Sequence, residues 1–208
     1  MEGRGWSRRE FAGGGSLLAL ALGLPSAAVY LEGLDKGDAP SDRQRAIMRE
    51  VADMVIPDTD TPGAAKAGVG DFVLLALAHG LEGSRAALAP DAVSSTIRQH
   101  LRRDGSLDHA RWLENTLDRA VGGDWPAKPA ERKLEALAAI DAEAFAEGAG
   151  PHPWRMVKGL ILTGYYTSEI GGSQELAYEP LPGRYDPALP MGQDTRAYSN
   201  EWTGVDFG

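Results

Sequence analysis

Residues 41–63 read SDRQRAIMREVADMVIPDTDTPG. Ser41 belongs to the small group of residues that cap helix N-termini. Behind it, DRQRAIMREVADMVI sets Ile47, Val51, Met54 and Val55 on one face at helical spacing. Pro57 closes the segment, and PDTDTPG has the composition of a turn. The stretch therefore predicts a capped, amphipathic helix followed by a tight loop.

The same signature repeats outward along the chain. After PDTDTPGAAKAGVG comes DFVLLALAHGL, which is apolar almost all round and is expected at the centre of the fold. Pro90 stands where a first-turn proline belongs, with Val93, Ile97 and Leu101 at four-residue steps and Asp104-Gly105 as a stop. SLDHARWLENTLDRAVGG places Leu113, Leu117, Ala120 and Val121 on a face and leaves through Gly-Gly. PAERKLEALAAIDAEAFAEG starts on Pro129 and carries Leu134, Leu137, Ala138 and Phe145. PWRMVKGLILTGYYTSEIGG is apolar on most sides and is expected to be the buried last helix. No alternating segment of useful length and no internal repeat is found. The expected fold is all-α, a compact bundle of about five to six helices over residues 41–170.

Composition fits one such domain. The chain has 208 residues and 43% hydrophobic content, and at that length roughly 70% of the unfolded surface can be buried. Its 26 glycines and 13 prolines fall short of the roughly 25–30% that marks low complexity. The formal charge of −9 repels phosphate backbones, which argues against a nucleic-acid partner. There is no cysteine, so disulfides, c-type haem attachment, cysteine-ligated iron–sulfur clusters and thiolate nucleophiles are excluded for this chain.

The two ends differ from the body. Residues 7–11, SRREF, precede a segment without charge, GGGSLLALALGLPSAAVYL. Ser7, Arg8, Arg9 and Phe11 resemble a twin-arginine export signal, and residues 1–31 are read as that signal. Ala12 and Gly13 stand where Leu-Lys is usual. Ser26, Ala27 and Ala28 offer a cleavage site, and a chain cut there loses three arginines and two glutamates, leaving −10. An ordinary secretory signal is one alternative. A retained anchor is another, since Phe11 to Leu31 is long enough to span a bilayer. At the other end, residues 171–208 form an aperiodic, proline-rich arm with Tyr178, Tyr185, Tyr198, Trp202 and Phe207. Disordered tails are poor in aromatics, so this arm is expected to pack, on its own domain or on another subunit.

Chemistry is hard to find between the ends. Gly68-Val69-Gly70 has no third glycine and no preceding strand, as a dinucleotide turn requires. A P-loop and a Gly-x-Ser-x-Gly elbow are missing. His79, His100, His109 and His152 form no close ligand pair. Asp58 and Asp60 could act as general acid and base if buried, but a turn in which Asp and Thr cap backbone N–H groups is the simpler reading. Glu169 is read as a helix-end residue bonded locally or to an arginine such as Arg184. Tyr165 and Tyr166 are read as packing anchors rather than catalysts.

Two stretches carry a resemblance. VADMVIPDTDTPGAAKAGVGDFV is similar to an Ile-Pro-x-x-Asp-x-Pro-Gly-Ala-x-x-Ala-Gly-Val loop, and ILTGYYTSEIGGSQELAYEPLPGRYD to a C-terminal signature, of the gluconate 2-dehydrogenase subunit 3 family. The resemblance spans about residues 41 to 200. It implies a non-catalytic small subunit of an FAD-dependent sugar, sugar-acid or glucoside dehydrogenase, such as a glucose or fructose dehydrogenase. In such complexes the large subunit is a flavoprotein of the glucose–methanol–choline oxidoreductase type, often without its own signal. The small subunit stabilises it as a chaperone does and carries it through the twin-arginine translocase to the periplasm. A cytochrome c bearing haem c then takes the electrons at the inner membrane. The implied chain binds no cofactor or metal itself. Tyr165, Tyr166, Glu169, Tyr178, Arg184, Tyr185, Tyr198 and Trp202 are the residues expected to meet the partner. The competing readings are a stand-alone periplasmic enzyme using Asp58, Asp60, Glu169 and a histidine, and an uncleaved, membrane-anchored interaction protein.

Overall fold

The structure is a computed structural model and describes residues 39–89, 93–178, 188, 190, 192 and 195–199. Among them, helix α1 is Asp42–Val55 and α2 is Val69–His79. A short α3 follows at Ser95–Arg98, then α4 at His109–Val121, α5 at Ala130–Phe145 and α6 at Pro153–Tyr166. The expectation of an all-α bundle holds. The signal segment, Pro90 and most of the arm lie outside the described residues.

Local chemistry sets the helix ends. Ser41 accepts from Gln44 N at 3.1 Å while Gln44 Oε1 accepts from Ser41 N at 2.9 Å, a reciprocal capping box that fixes where α1 begins. Asp108 accepts from Arg111 N at the start of α4. Gly122, left-handed at φ 66°, ends that helix. His152 Nδ1 accepts from Trp154 N, and Pro153 occupies the first turn of α6. Pro129 is the residue before α5 rather than its first turn.

α2 is the central helix, with Val69, Gly70 and the run from Val73 to Ala78 buried. α1 and α6 pack on it, α4 packs on α1 and α5, and α5 packs on α6. Glycines permit two of these contacts. A Cβ on Gly70 would lie 2.7 Å from Arg49 Cα in α1, and one on Gly164 would lie 2.5 Å from the Phe72 ring. The loop after α4 is anchored by Trp125, fully buried, whose backbone N donates to Asp118 Oδ1 at 2.9 Å. Arg43 of α1 binds Asp118, Asp124 and Glu114 together. This ties the first helix to α4 and its exit loop, and the carboxylates hold the guanidinium more firmly charged than usual, Asp124 most.

Three expectations are corrected. Among the described residues 93–101, the helix read from Pro90 to Leu101 is the four residues of α3, capped by Ser94. Leu101 instead pairs with Leu107, and Asp104-Gly105 makes the turn between them. On α5 the buried residues are Ala136, Leu137, Ile140 and Ala144. Of the apolar residues named for this helix, Leu137 is buried, whereas Leu134 and Phe145 are 53% and 52% exposed and Ala138 is exposed too. The reason is visible in the sequence ALAAIDA: this helix is apolar on more than one side, so periodicity alone does not choose its inner face. Ala120 on α4 is likewise exposed, the buried face there being His109, Trp112, Leu113 and Leu117.

Candidate functional site

The two motif stretches meet at the C-terminal end of α6. The loop Pro57–Gly63 folds back so that Ala64 N donates to Ile56 O at 2.9 Å, and a Cβ on Gly63 would lie 2.5 Å from that same oxygen. Only glycine fits there. Asp58 Oδ1 accepts from Gly63 N at 2.7 Å, and Lys66 pairs with the same carboxylate. The Lys66 contact, with the Gly63 bond, holds Asp58 below the usual carboxylate range. Asp58 is thus an ionised turn residue, as the simpler reading had it.

Tyr165 connects the loop to the last helix. Its ring is buried at 1% exposure and its hydroxyl donates to Pro62 O at 2.9 Å. Burial pushes the phenol up, with Thr61 acting against it. The chain then winds through a π-helical turn, Gly171–Glu175, in which Gly171 presses on Tyr165. A Cβ there would lie 2.0 Å from Tyr165 O. Ser168 donates to that carbonyl at 2.6 Å and accepts from Gly171 N at 3.0 Å. From this turn Glu175 reaches back to accept from the Thr61 hydroxyl.

The arm is fastened to the same place. Residues 177–178 pair in parallel with Tyr198–Ser199, and Ala177 N donates to Ala197 O at 2.9 Å. Arg196 donates to Gln174 O at 2.5 Å and lies 3.6 Å from Asp60. Both ends of the excursion from residue 178 to 198 are therefore held at one corner of the bundle.

The residues named for partner binding divide accordingly. Tyr165 lies in the core and its hydroxyl serves the loop. Tyr166, edge-on to it at 5.3 Å between ring centres, is 42% exposed, and Tyr198 is 61% exposed. Glu169 is exposed, and its backbone oxygen accepts from Ser173 Oγ at 2.5 Å. Tyr178 belongs to the short pairing. Arg184, Tyr185 and Trp202, with Ser7, Arg8, Arg9 and Phe11, lie outside the described residues. Thr61, Lys66, Glu175 and Arg196 were not singled out in the sequence. Each lies in or near a motif stretch, but their partners are up to 114 residues away and no spacing reveals them.

The profile of the family described as gluconate 2-dehydrogenase subunit 3 matches residues 42–183. The chain belongs to this family. No curated protein and no solved structure matches it. The matched span begins at the first residue of α1 and ends at residue 183, so it contains the described helices and the contacts of Tyr165 and Glu175 with the 57–63 loop, while Arg196 and Tyr198–Ser199 lie beyond it. Membership makes the chain a subunit of a dehydrogenase, with a larger enzyme as its associate. Among the described residues no helix is long and apolar enough to cross a membrane. The Gly68-Val69-Gly70 turn opens α2 from a left-handed Gly68, and Gly70 lies against Arg49 of α1.

Proposed function

We propose that the chain is the non-catalytic small subunit of a periplasmic, FAD-dependent sugar, sugar-acid or glucoside dehydrogenase. It binds and stabilises the flavoprotein large subunit and brings it through the twin-arginine route. The observation that carries this reading is the family match over residues 42–183. The SRREF leader ahead of an uncharged stretch supports the export half. FAD belongs to the large subunit, and a cytochrome c bearing haem c accepts the electrons, which places the complex at the periplasmic face of the inner membrane.

The test is co-export. Replacing Arg8 and Arg9 together by Lys should leave both this chain and the flavoprotein in the cytoplasm. Arrival of the flavoprotein in the periplasm with the doubly substituted chain left behind would overturn the carrier role. The chain purified without its partner should also show no flavin absorbance; stoichiometric flavin in that sample would overturn the assignment of FAD to the large subunit.

A further inference from the structure

A small cavity lies where the start of α1, the second half of α2 and the start of α4 converge. Leu74 and Leu77 of α2 and Ala110 of α4 are its apolar lining, and its volume is about 170 Å³. Sites for small molecules run to roughly 300–1,000 Å³, so this one is sized for a single aliphatic side chain. Part of the lining is the chain's own entry into the fold. Ala39 and Pro40, the first described residues, both border the cavity. Ser41, which follows them, is held in the capping box of α1. The chain before residue 39 therefore reaches the body at the edge of the cavity.

The residues just ahead of that edge read EGLDKGD, from Glu32 to Asp38. Leu34 is their one apolar side chain, five residues before Ala39 and so within roughly 17 Å of it along an extended chain. The polar lining is mostly satisfied from within the body. Gln44 bonds Ser41 and Glu114, and Arg102 donates to Leu107 O at 2.6 Å and lies 3.3 Å from Asp108. Arg102 and Asp108 offset one another, which leaves the exposed Arg111 as the remaining charge of the lining. Asp42 and Glu114 on the same helices are paired with Arg45 and Arg43. Residues 32–38 carry three acids and one lysine. Exposed pairs are worth little, so Arg111 helps to set the register of such a segment while the apolar contact holds it.

We propose that this cavity is the docking site for the chain's own segment between the leader and α1, with Leu34 as the side chain that fills it. The docked segment is a strap: it joins α1 to α2 and α4 and makes the leader depart from a fixed point on the folded body. Connectivity favours this occupant over a separate protein. A segment tethered five residues away meets the cavity at an effective concentration of roughly millimolar, and any other ligand must displace it or pass it. Leu34 also lies after Ser26, Ala27 and Ala28, so the strap remains when the leader is cut there. The strap does not depend on the subunit reading above and can be tested without the larger enzyme.

The test is hydroxyl-radical footprinting of the full chain, with Leu134, 53% exposed, as an internal standard of the same residue type. Leu34 should be oxidised several-fold more slowly than Leu134. Ala110→Trp fills the cavity, and in that variant, with helicity retained, Leu34 should be oxidised about as fast as Leu134. Leu34→Ser alters no residue of the described bundle and should lower Tm by about 2–4 °C. It keeps the proposal testable if Ala110→Trp fails to fold. Protection of Leu34 that survives removal of residues 1–28 supports the strap. Protection lost on that removal would assign the cavity to the leader. Protection that grows with chain concentration would assign it to a second copy, and protection present only in the complex would assign it to the larger subunit. Each of these three results overturns the proposal, as does equal oxidation of Leu34 and Leu134 in the unaltered chain or an unchanged Tm in Leu34→Ser.

Discussion

Tyr165 shows how a single residue can hold a motif together. Its ring fills the core beside α2, and its hydroxyl is the donor to Pro62 O in a loop 103 residues away. Removing only the oxygen leaves the packing intact and strips a half-buried carbonyl of its partner. Tyr165→Phe should therefore cost about 1 kcal/mol, read as a lower urea midpoint with an unchanged slope. A loss of helicity would mean that the ring, not the bond, had been disturbed. His109 makes the opposite kind of statement. It is buried at the start of α4, and burial, with Arg102 nearby, lowers its pKa from 6.5 to about 4. Its neutral form is the folded form. The unfolded chain takes up a proton at about 6.5, so the stability this residue contributes is full above that pH. It is lost as pH falls from there to about 4. Unfolding measured at pH 7 and pH 5 should differ by about 2 kcal/mol from this group alone. His109→Gln should remove most of that difference, and an unchanged slope in the variant would place the acid sensitivity elsewhere. His100, also buried and shifted down mainly by desolvation, adds to the same trend.

At the scale of elements, α6 carries a direct comparison. Gly159 and Gly164 both lie inside this helix. A Cβ on Gly159 meets nothing within 4 Å, whereas one on Gly164 would run into Phe72. Gly159→Ala should stabilise the protein by about 0.5–1 kcal/mol through helix propensity and a less flexible unfolded chain. Gly164→Ala should destabilise it by about 1–3 kcal/mol through overpacking. Thermal unfolding of the pair checks both signs, and the same sign for both would show that Phe72 yields freely. The same contrast explains what could be read from the sequence. Helix starts were legible where a side chain supplies the missing acceptor, as Ser41 does for α1. Central burial of α2 was legible because no polar stripe interrupts it. The inner face of α5 was not, because Leu134 and Phe145 compete with Ile140 and Ala144 and only α4 and α6 decide between them. α3 was overread because Val93, Ile97 and Leu101 keep a four-residue step while Leu101 is drawn into a pairing with Leu107. The corner formed by Thr61, Tyr165, Glu175 and Arg196 was legible only as two separate motifs, since contacts across a hundred residues leave no local pattern.

For the whole molecule, the question is how much of the fold depends on the arm. Beyond Tyr178 the described contacts with the body are few. Arg196 and Asp60 form a solvent-exposed pair, which contributes at most about 1 kcal/mol. The parallel pairing is two residues long on each side. The stronger ties come earlier: Tyr165 to Pro62, Glu175 to Thr61, and Ser168 to Gly171 all lie before residue 178. A chain ending at Tyr178 should therefore keep its helicity, and its Tm should fall by no more than about 2–4 °C, the shift that 1 kcal/mol produces at this size. The truncation also removes Tyr185, Tyr198, Trp202 and Phe207, aromatics of the kind that anchor interfaces. The larger subunit should accordingly co-purify with the shortened chain at reduced yield. Circular dichroism and co-purification together check both halves: collapse of helicity would show that the arm completes the core, and full recovery of the larger subunit would confine its contacts to the helices.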